Sequence, residues 1–207
     1  MTARVVIVDY GVGNIWSVHS ALRYVGANPV VGGDPATVTS ADALILPGVG
    51  SFRAAMAVLK ATGMKDALLD AVLVKQRKIM GICLGMQLFA KSSTEDGVCD
   101  GLGFIETSVD RFHSDEVGFL KVPHIGFNQV TPPKHSYLFK GISSPTDYYF
   151  VHSYRMLPGQ LPGKRALCRY GGEFLAGYEY ENIFATQFHP EKSQTNGLKL
   201  LRNFIKA

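Results

Sequence analysis

The segment GICLG, residues 81–85, places a single cysteine, Cys83, between two glycines at the end of an apolar run. Burial is the simplest interpretation of a lone cysteine, because an unpaired Cys packs as a small hydrophobe. The glycines indicate more, since Gly-x-Cys-x-Gly is the cysteine counterpart of the Gly-x-Ser-x-Gly turn that joins a buried strand to a helix. The N-terminus of that helix would favour thiolate over thiol. The pattern therefore predicts a nucleophile at Cys83.

A second segment, ATQFHPEKS, supplies a candidate base for this nucleophile. Its apolar start predicts a strand that delivers His189 and, two residues later, Glu191. Side chains at positions i and i+2 of an extended segment point the same way, so Glu191 could bind one imidazole nitrogen while the other faces the thiol. Together with the turn at Cys83, the pair predicts a catalytic Cys-His-Glu triad.

Attack on an acyl group also requires donors for the oxyanion of the tetrahedral intermediate. The loop LPGVG, residues 46–50, follows an apolar strand and carries glycines that leave backbone N–H groups accessible. We predict that the N–H groups of Val49 and Leu84 form this oxyanion site. The similar glycine-rich segment DYGVGN lacks the third glycine of a dinucleotide-binding loop, because Trp16 occupies that position.

The composition is that of an ordinary soluble domain, and neither the predicted chemistry nor the residues call for a metal or an organic cofactor. The 207 residues are 46% apolar and 18% charged, which predicts one domain spanning residues 1–207. A net charge of +4 with scattered Lys and Arg gives no basic stripe for nucleic acid, and no apolar run approaches the length of a membrane span. Three cysteines without a C-x-x-C pair argue against disulfides and structural zinc. With no export signal at the N-terminus, we expect a cytoplasmic location.

Strand-like and helix-like segments alternate in the first half of the chain. RVVIVDYG predicts a strand, and Asn14 is a predicted cap of the helix IWSVHSALRYVG before Gly26. The strand ADALILPGVG precedes a helix capped by Ser51, then the helix MKDALLDAVLVKQ, the strand KIMGI and a helix from about Leu84. From about residue 97, short strands between Gly and Pro turns dominate until a final helix, TNGLKLLRNFIKA. This pattern predicts an α/β fold with an open, mostly parallel central sheet, helices on both faces and a β-rich second half.

With PGVG, GICLGMQ and QFHPE in that order, the chain resembles the class I glutamine amidotransferase family over its whole length. The resemblance implies hydrolysis of the side-chain amide of L-glutamine: Cys83 attacks, His189 protonates the departing ammonia, and a glutamyl thioester forms in between. It also implies the residues that hold the substrate, which are Gly50, Gln87, Ser153 and Tyr154.

Further segments, including KVPHIGFNQV and FHPEKSQTNGLKLLRNF, are similar to the glutaminase subunits of imidazole glycerol phosphate synthases. This narrower resemblance implies a heterodimer with a (β/α)8 cyclase subunit, which uses the ammonia to make imidazole glycerol phosphate and the purine precursor AICAR in histidine biosynthesis. It implies that six residues face that partner: Asn14, His124, Phe127, Asn128, Tyr149 and Lys192. One position departs from the family pattern PHxGWN, because Phe127 stands where Trp is usual and lacks the indole N–H.

Three alternatives remain open at this point. The chain could be a related glutaminase that supplies ammonia to a sugar-amidating enzyme of surface-glycan synthesis, an alternative that Phe127 keeps open. It could be a stand-alone thiol hydrolase of the same fold, although Gln87 and the His-Pro-Glu order favour a glutaminase. It could also be a regulatory module without activity, against which the complete Cys83, His189 and Glu191 set argues.

Overall fold

The structure is a computed structural model that describes residues 4–207. Its first half contains β1 (Val5–Val8), α1 (Ile15–Tyr24), β2 (Val30–Gly32), α2 (Pro35–Thr39), β3 (Ala43–Gly48), α3 (Phe52–Ala61), α4 (Met64–Leu69) with a π-helical extension (Asp70–Val74), β4 (Lys78–Cys83), α5 (Leu84–Leu88), β5 (Ala90–Ser93) and β6 (Cys99–Asp100). Its second half contains β7 (Ile105–Arg111), α6 (Ser114–Val117), β8 (His124–Thr131), β9 (Thr146–His152), β10 (Tyr154–Met156), β11 (Lys164–Tyr170), β12 (Gly172–Tyr180), β13 (Ile183–Thr186), a 3₁₀ turn (Pro190–Lys192) and α7 (Gln194–Lys206).

Nine strands form a central sheet in the order β2-β1-β3-β4-β13-β12-β11-β8-β9. Neighbouring strands from β2 to β13 are parallel, and neighbouring strands from β13 to β9 are antiparallel. A smaller sheet has the order β10-β7-β5-β6. The predicted α/β class is confirmed, and the β-rich second half extends the parallel sheet with antiparallel strands.

Alternate side chains of the sheet enter two cores, one on each face. In β1, Val6 and Val8 pack into a core that also receives residues of α3 and α4, while Val5 and Ile7 pack with residues of α1 and α7. This alternation follows from the two-residue repeat of a strand. The helices therefore cover both faces of the sheet, as predicted. Among the helices of residues 4–207, none has the length and apolar character needed to cross a bilayer.

The helix ends agree with the sequence-based expectations in most cases. The Ser51 hydroxyl accepts a hydrogen bond from the N–H of Ala54 at 3.4 Å and caps α3 as predicted. The predicted cap at Asn14 is wrong, because its side chain makes no capping hydrogen bond and its backbone (φ −87°, ψ 63°) is not extended. The short elements β2, α2, β5 and α6 were not predicted, since three to five residues carry too little periodicity to be recognised.

The turn from β4 into α5 is the tightest part of the parallel half. Cys83 has φ 55° and ψ −110°, a conformation that costs a residue with a side chain about 1–3 kcal/mol. A Cβ atom on Gly81 would lie 2.7 Å from the nitrogen of Met86, and one on Gly85 would lie 1.8 Å from the carbonyl oxygen of Leu46. The glycines on both sides of Cys83 are therefore required by the close approach of α5 to β3 and β4.

We expect Gly85→Ala to lower the free energy of unfolding by about 3 kcal/mol, because an added methyl group must displace the backbone of β3 at Leu46. Urea unfolding of the full chain measures this loss. Gly33→Ala is the matched control, since a Cβ there would meet only the carbonyl oxygen of Asp9 at 3.7 Å, an ordinary contact distance. Equal stability of the two variants would contradict the proposed close packing at the turn.

Candidate active site

Cys83 opens onto a cavity of about 350 Å³ at the carboxyl ends of the parallel strands. The residue is 6% exposed, and its thiol lies 3.9 Å from the carbonyl oxygen of Val151. The Gln187 side chain donates a hydrogen bond to its sulfur at 3.8 Å. The cavity brings together eight of the residues predicted from the sequence: Val49, Gly50, Cys83, Leu84, Gln87, Ser153, Tyr154 and His189.

The candidate base reaches the same cavity from the neighbouring strand. Because β13 pairs in parallel with β4, the chain that continues from β13 delivers His189 beside the end of β4. His189 Nδ1 lies 2.8 Å from Glu191 Oε1, and these two side chains are 2% and 1% exposed. The contact between His189 and Glu191 is present, but the prediction that it forms within an extended segment is wrong. A 3₁₀ turn at Pro190–Lys192 brings the carboxylate back to the ring.

The charge state of His189 depends on both of its neighbours. Burial alone would lower the pKa of His189, but a negatively charged Cys83 sulfur and the Glu191 carboxylate favour the charged ring and raise that pKa to about 10. The other ring nitrogen, Nε2, is buried and has no hydrogen-bond partner within residues 4–207. The imidazole therefore has one nitrogen held by a carboxylate and a second nitrogen available to a reacting group in the cavity.

The two predicted oxyanion donors lie on either side of Cys83. Gly48, the last residue of β3, is the register partner of Cys83, which places Val49 next to the sulfur. Leu84 is the first residue of α5, so its N–H has no partner four residues earlier in the helix. Both residues line the cavity that contains Cys83, where an oxyanion would need donors.

Gln87 is held by two hydrogen bonds that the sequence did not indicate. Its Nε2 donates to the carbonyl oxygen of Tyr154 at 2.9 Å and to Oε1 of Gln187 at 3.0 Å. Both N–H groups of the Gln87 amide are therefore used inside the protein. The amide oxygen is the polar atom of this side chain that remains for a bound molecule.

Sequence reasoning missed three residues of the site. Gln187 lies two positions before His189 in the segment that supplied the base. In an extended strand these two side chains point the same way, so the sequence could have indicated that Gln187 belongs to the site. His152 lines the cavity directly before the predicted Ser153, and Glu95 lines it from the loop after β5. The Glu95 carboxylate accepts the N–H of Phe52 at 2.8 Å, and its partial burial raises its pKa. No sequence pattern pointed to Glu95. Residues 4–207 contain no cluster of His, Cys, Asp and Glu that could hold a metal ion.

Three of the residues predicted to face a partner, Phe127, Tyr149 and Lys192, lie close together near His189. Phe127 on β8 and Tyr149 on β9 are register partners with ring centroids 5.6 Å apart, and Phe127 is 52% exposed. The Lys192 ammonium lies 5.8 Å from the centre of the Tyr149 ring, and Asn14 is half-buried at the start of α1. These four residues leave polar and aromatic surface accessible. The other two predicted residues are placed differently.

His124 is an interior residue, 2% exposed, and its ring is not available to an external partner. Its Nδ1 lies 3.0 Å from Nε2 of His152, and its Nε2 lies 3.3 Å from the side-chain nitrogen of the half-buried Asn128. Burial lowers the pKa of His124 to about 4 and that of His152 to about 3. Both imidazoles are therefore neutral at neutral pH.

A protein-family model described as "Glutamine amidotransferase class-I" matches residues 6–207, and the chain belongs to that family. It is 47% identical over 203 residues to "Imidazole glycerol phosphate synthase subunit HisH 1" of Campylobacter jejuni (strain RM1221), covering 98% of this chain and 99% of the relative. It is 41% identical over 202 residues to "Imidazole glycerol phosphate synthase subunit HisH 2" of Pseudomonas aeruginosa, covering 98% of both chains.

The fold is also similar to a solved structure entitled "Structure of PurLQS from Thermotoga maritima". The superposition has a TM-score of 0.76 at 18% sequence identity and covers 100% of this chain and 99% of that one. At this level of identity, the likeness establishes the fold. It agrees with the family membership that the sequence comparison gives.

We expect the free energy of unfolding to fall as the pH drops from 6.5 towards 5. The pKa values of His124 and His152 in the folded chain, about 4 and about 3, lie below that of an unfolded histidine, so the unfolded chain binds more protons in this interval. The stabilisation is fully present above pH 6.5 and is lost on acidification, by on the order of 2 kcal/mol for each ring at pH 5. Urea unfolding at several pH values measures it.

The variant His124→Phe should weaken this pH dependence, because one of the two neutral rings is removed. His113→Asn, at an exposed position, should retain it. If the wild-type chain were equally stable at pH 7 and pH 5, the buried neutral state of the two histidines would be disproved.

Proposed function

We propose that this chain is the glutaminase subunit of a two-subunit synthase and hydrolyses L-glutamine to glutamate and ammonia. The observation that supports this function is the position of Cys83, on a strained turn that opens onto the same cavity as His189, whose ring is paired with Glu191. A cavity of about 350 Å³ is near the lower end of the range for small-molecule sites and suits a single amino acid.

The reaction proceeds in two steps through a covalent intermediate. The Cys83 sulfur attacks the amide carbon of glutamine, and the oxyanion that forms accepts hydrogen bonds from the N–H groups of Val49 and Leu84. The charged His189 gives its proton to the leaving nitrogen, so ammonia departs and a glutamyl thioester remains. His189 then takes a proton from the water that attacks the thioester. Release of glutamate, whose new carboxyl group passes its proton to solvent, leaves the sulfur as a thiolate beside the charged ring, the state in which the cycle began. Glu191 orients the ring throughout.

The cavity offers groups that complement both charged ends of glutamine. Its α-ammonium group requires acceptors, which the Glu95 carboxylate and the Gln87 amide oxygen supply. Its α-carboxylate requires donors, and the backbone of Gly50, Ser153 and Tyr154 lines the same cavity. This arrangement supports recognition of a free amino acid.

The partner we propose is a (β/α)8 cyclase that forms a heterodimer with this chain and receives the ammonia. The relatives described above are named as subunits of imidazole glycerol phosphate synthase. Phe127 on β8, Tyr149 on the edge strand β9 and Lys192 on the 3₁₀ turn form a partly exposed surface that supports a docking role. With that partner, the ammonia is used to form imidazole glycerol phosphate and AICAR in histidine biosynthesis.

A second candidate is a related glutaminase that supplies a sugar-amidating enzyme of surface-glycan synthesis. Two observations support this alternative. The two relatives are numbered, as HisH 1 and HisH 2, and Phe127 replaces the tryptophan of the family pattern. The chemistry at Cys83 is the same in both cases. Only the acceptor of ammonia differs, so the partner decides between them.

We expect the purified chain to release glutamate from glutamine much faster after the cyclase of the same organism and its nucleotide substrate are added. In that complex, Cys83→Ala should abolish synthesis that depends on glutamine while synthesis that depends on ammonium salts continues, because the two reactions occur on different chains. Glutamate release and imidazole glycerol phosphate formation are measured separately.

Cys99→Ala serves as the control, because Cys99 lies on β6 and does not line the cavity. Loss of both activities in a folded Cys83→Ala complex would contradict the proposed division of labour. A second outcome would decide the partner. If adding the cyclase did not increase glutamate release while Cys83 still reacted with a glutamine-like alkylating agent, the histidine-pathway partner would be wrong and the sugar-amidating alternative would be favoured.

A further inference from the structure

A buried series of hydrogen bonds leads from the exposed face of β8 to the cavity. Asn128 Nδ2 lies 3.3 Å from His124 Nε2, His124 Nδ1 lies 3.0 Å from His152 Nε2, and His152 Nδ1 lies 2.8 Å from the carbonyl oxygen of Tyr154. The triad does not use any of these groups. We call this series the histidine chain, with Asn128 as its outer end and the Tyr154 carbonyl as its inner end.

The inner end determines where every proton of the histidine chain lies. A backbone carbonyl can only accept, so His152 Nδ1 must carry the proton that bonds to Tyr154. In a neutral ring, His152 Nε2 is then an acceptor, and His124 Nδ1 must donate to it. The remaining nitrogen, His124 Nε2, is an acceptor for the amide N–H of Asn128. Both rings therefore have the same tautomer, with the proton on Nδ1.

The packing holds both rings in this orientation. His124 stacks on Tyr170 at a centroid distance of 3.9 Å and on Phe150 at 4.8 Å. His152 packs against Phe112 and Phe174, at 5.3 Å and 5.2 Å. Because aromatic side chains pack on both rings, breaking any of these hydrogen bonds would leave a polar nitrogen in apolar surroundings, which is costly.

The series continues from Tyr154 into the substrate cavity. The Tyr154 carbonyl also accepts an N–H from Gln87, whose second N–H bonds to Gln187, which in turn donates to the sulfur of Cys83. With both N–H groups fixed, the Gln87 amide oxygen is the atom that the side chain offers to a bound molecule. The orientation of Gln87 thus depends on a carbonyl that His152 fixes.

We propose that His124 and His152 are positioning residues, which hold the Tyr154 carbonyl and through it direct the Gln87 amide oxygen at an N–H group of the bound substrate. The inference rests on the proposed glutamine hydrolysis. The proposal gives His124, the buried histidine of the PHIGFN segment, a role inside the subunit. Phe127, the exposed neighbour of Asn128, remains part of the proposed partner surface.

The proton positions are tested by long-range ¹H–¹⁵N NMR of the full chain labelled at histidine nitrogen, with assignments from single histidine variants. At pH 7, we expect His124 and His152 to be neutral and protonated at Nδ1. A proton on Nε2 of either ring, or a charged ring at pH 7, would overturn the histidine chain. This measurement requires neither substrate nor partner.

The positioning role is tested by the reaction of Cys83 with a diazoketone analogue of glutamine. Asn128→Ala and His124→Phe should each raise the inhibition constant of the analogue roughly tenfold, the effect of one misplaced hydrogen bond. The alkylation rate with iodoacetamide, which reports thiol reactivity alone, should not change. His124→Asn can still donate from the Nδ1 position and should restore part of the affinity.

Tyr170→Phe is the matched control, because it removes one hydrogen bond, to the carbonyl of Lys121, beside the same stacked ring without breaking the histidine chain. It should bind the analogue as the wild type does. An unchanged inhibition constant in Asn128→Ala and His124→Phe would overturn the positioning role, as would an equal change in Tyr170→Phe. If the wild type reacted with iodoacetamide but not with the analogue, the proposed glutaminase function itself would fail, while the NMR result would still decide the geometry.

Discussion

The contact between the backbone of Gly85 and the carbonyl of Leu46 fixes the turn on which the rest of the site depends. Because α5 lies this close to β3, the chain must reverse within one residue after β4, and Cys83 takes a conformation that costs about 1–3 kcal/mol. Leu84, Met86 and Leu88 of α5 are fully buried beside the turn, and each contributes about 2 kcal/mol of apolar burial. Their sum exceeds the strain, so the turn is stable and the sulfur faces the cavity.

Parallel strands explain why groups far apart in sequence meet at that sulfur. β3, β4 and β13 are neighbours that run in one direction, so the loops after them lie at one edge of the sheet. These three loops supply Val49, Cys83 and His189. The antiparallel strand β9 closes the cavity from the other side, and its end carries His152 and the backbone that lines the site. The parallel half thus provides the proposed reacting groups, and the antiparallel half provides the opposite wall of the cavity.

Local patterns predicted what local physics determines. The strand-helix alternation, the cap at Ser51 and the glycine requirement at residue 81 follow from near neighbours in sequence, and the structure agrees with them. The requirement at Gly85 was predicted from the same local pattern, although its cause is the distant carbonyl of Leu46. The 3₁₀ turn that carries Glu191 and the interior position of His124 could not be predicted, because they depend on packing between distant elements. His124 and His152 are 28 positions apart, and Gln87 and Gln187 are 100 positions apart. A single sequence contains no pattern that would identify such pairs.

The covalent intermediate on Cys83 is the central claim of this account. The direct measurement is to mix the chain, in the presence of its partner, with glutamine, to quench the reaction in acid within its first turnovers, and to map the modified peptide by mass spectrometry. The account predicts a glutamyl adduct on the peptide that contains Cys83 and none on those that contain Cys99 or Cys168. Glutamate formation without any adduct on Cys83, or with an adduct on another residue, would contradict it.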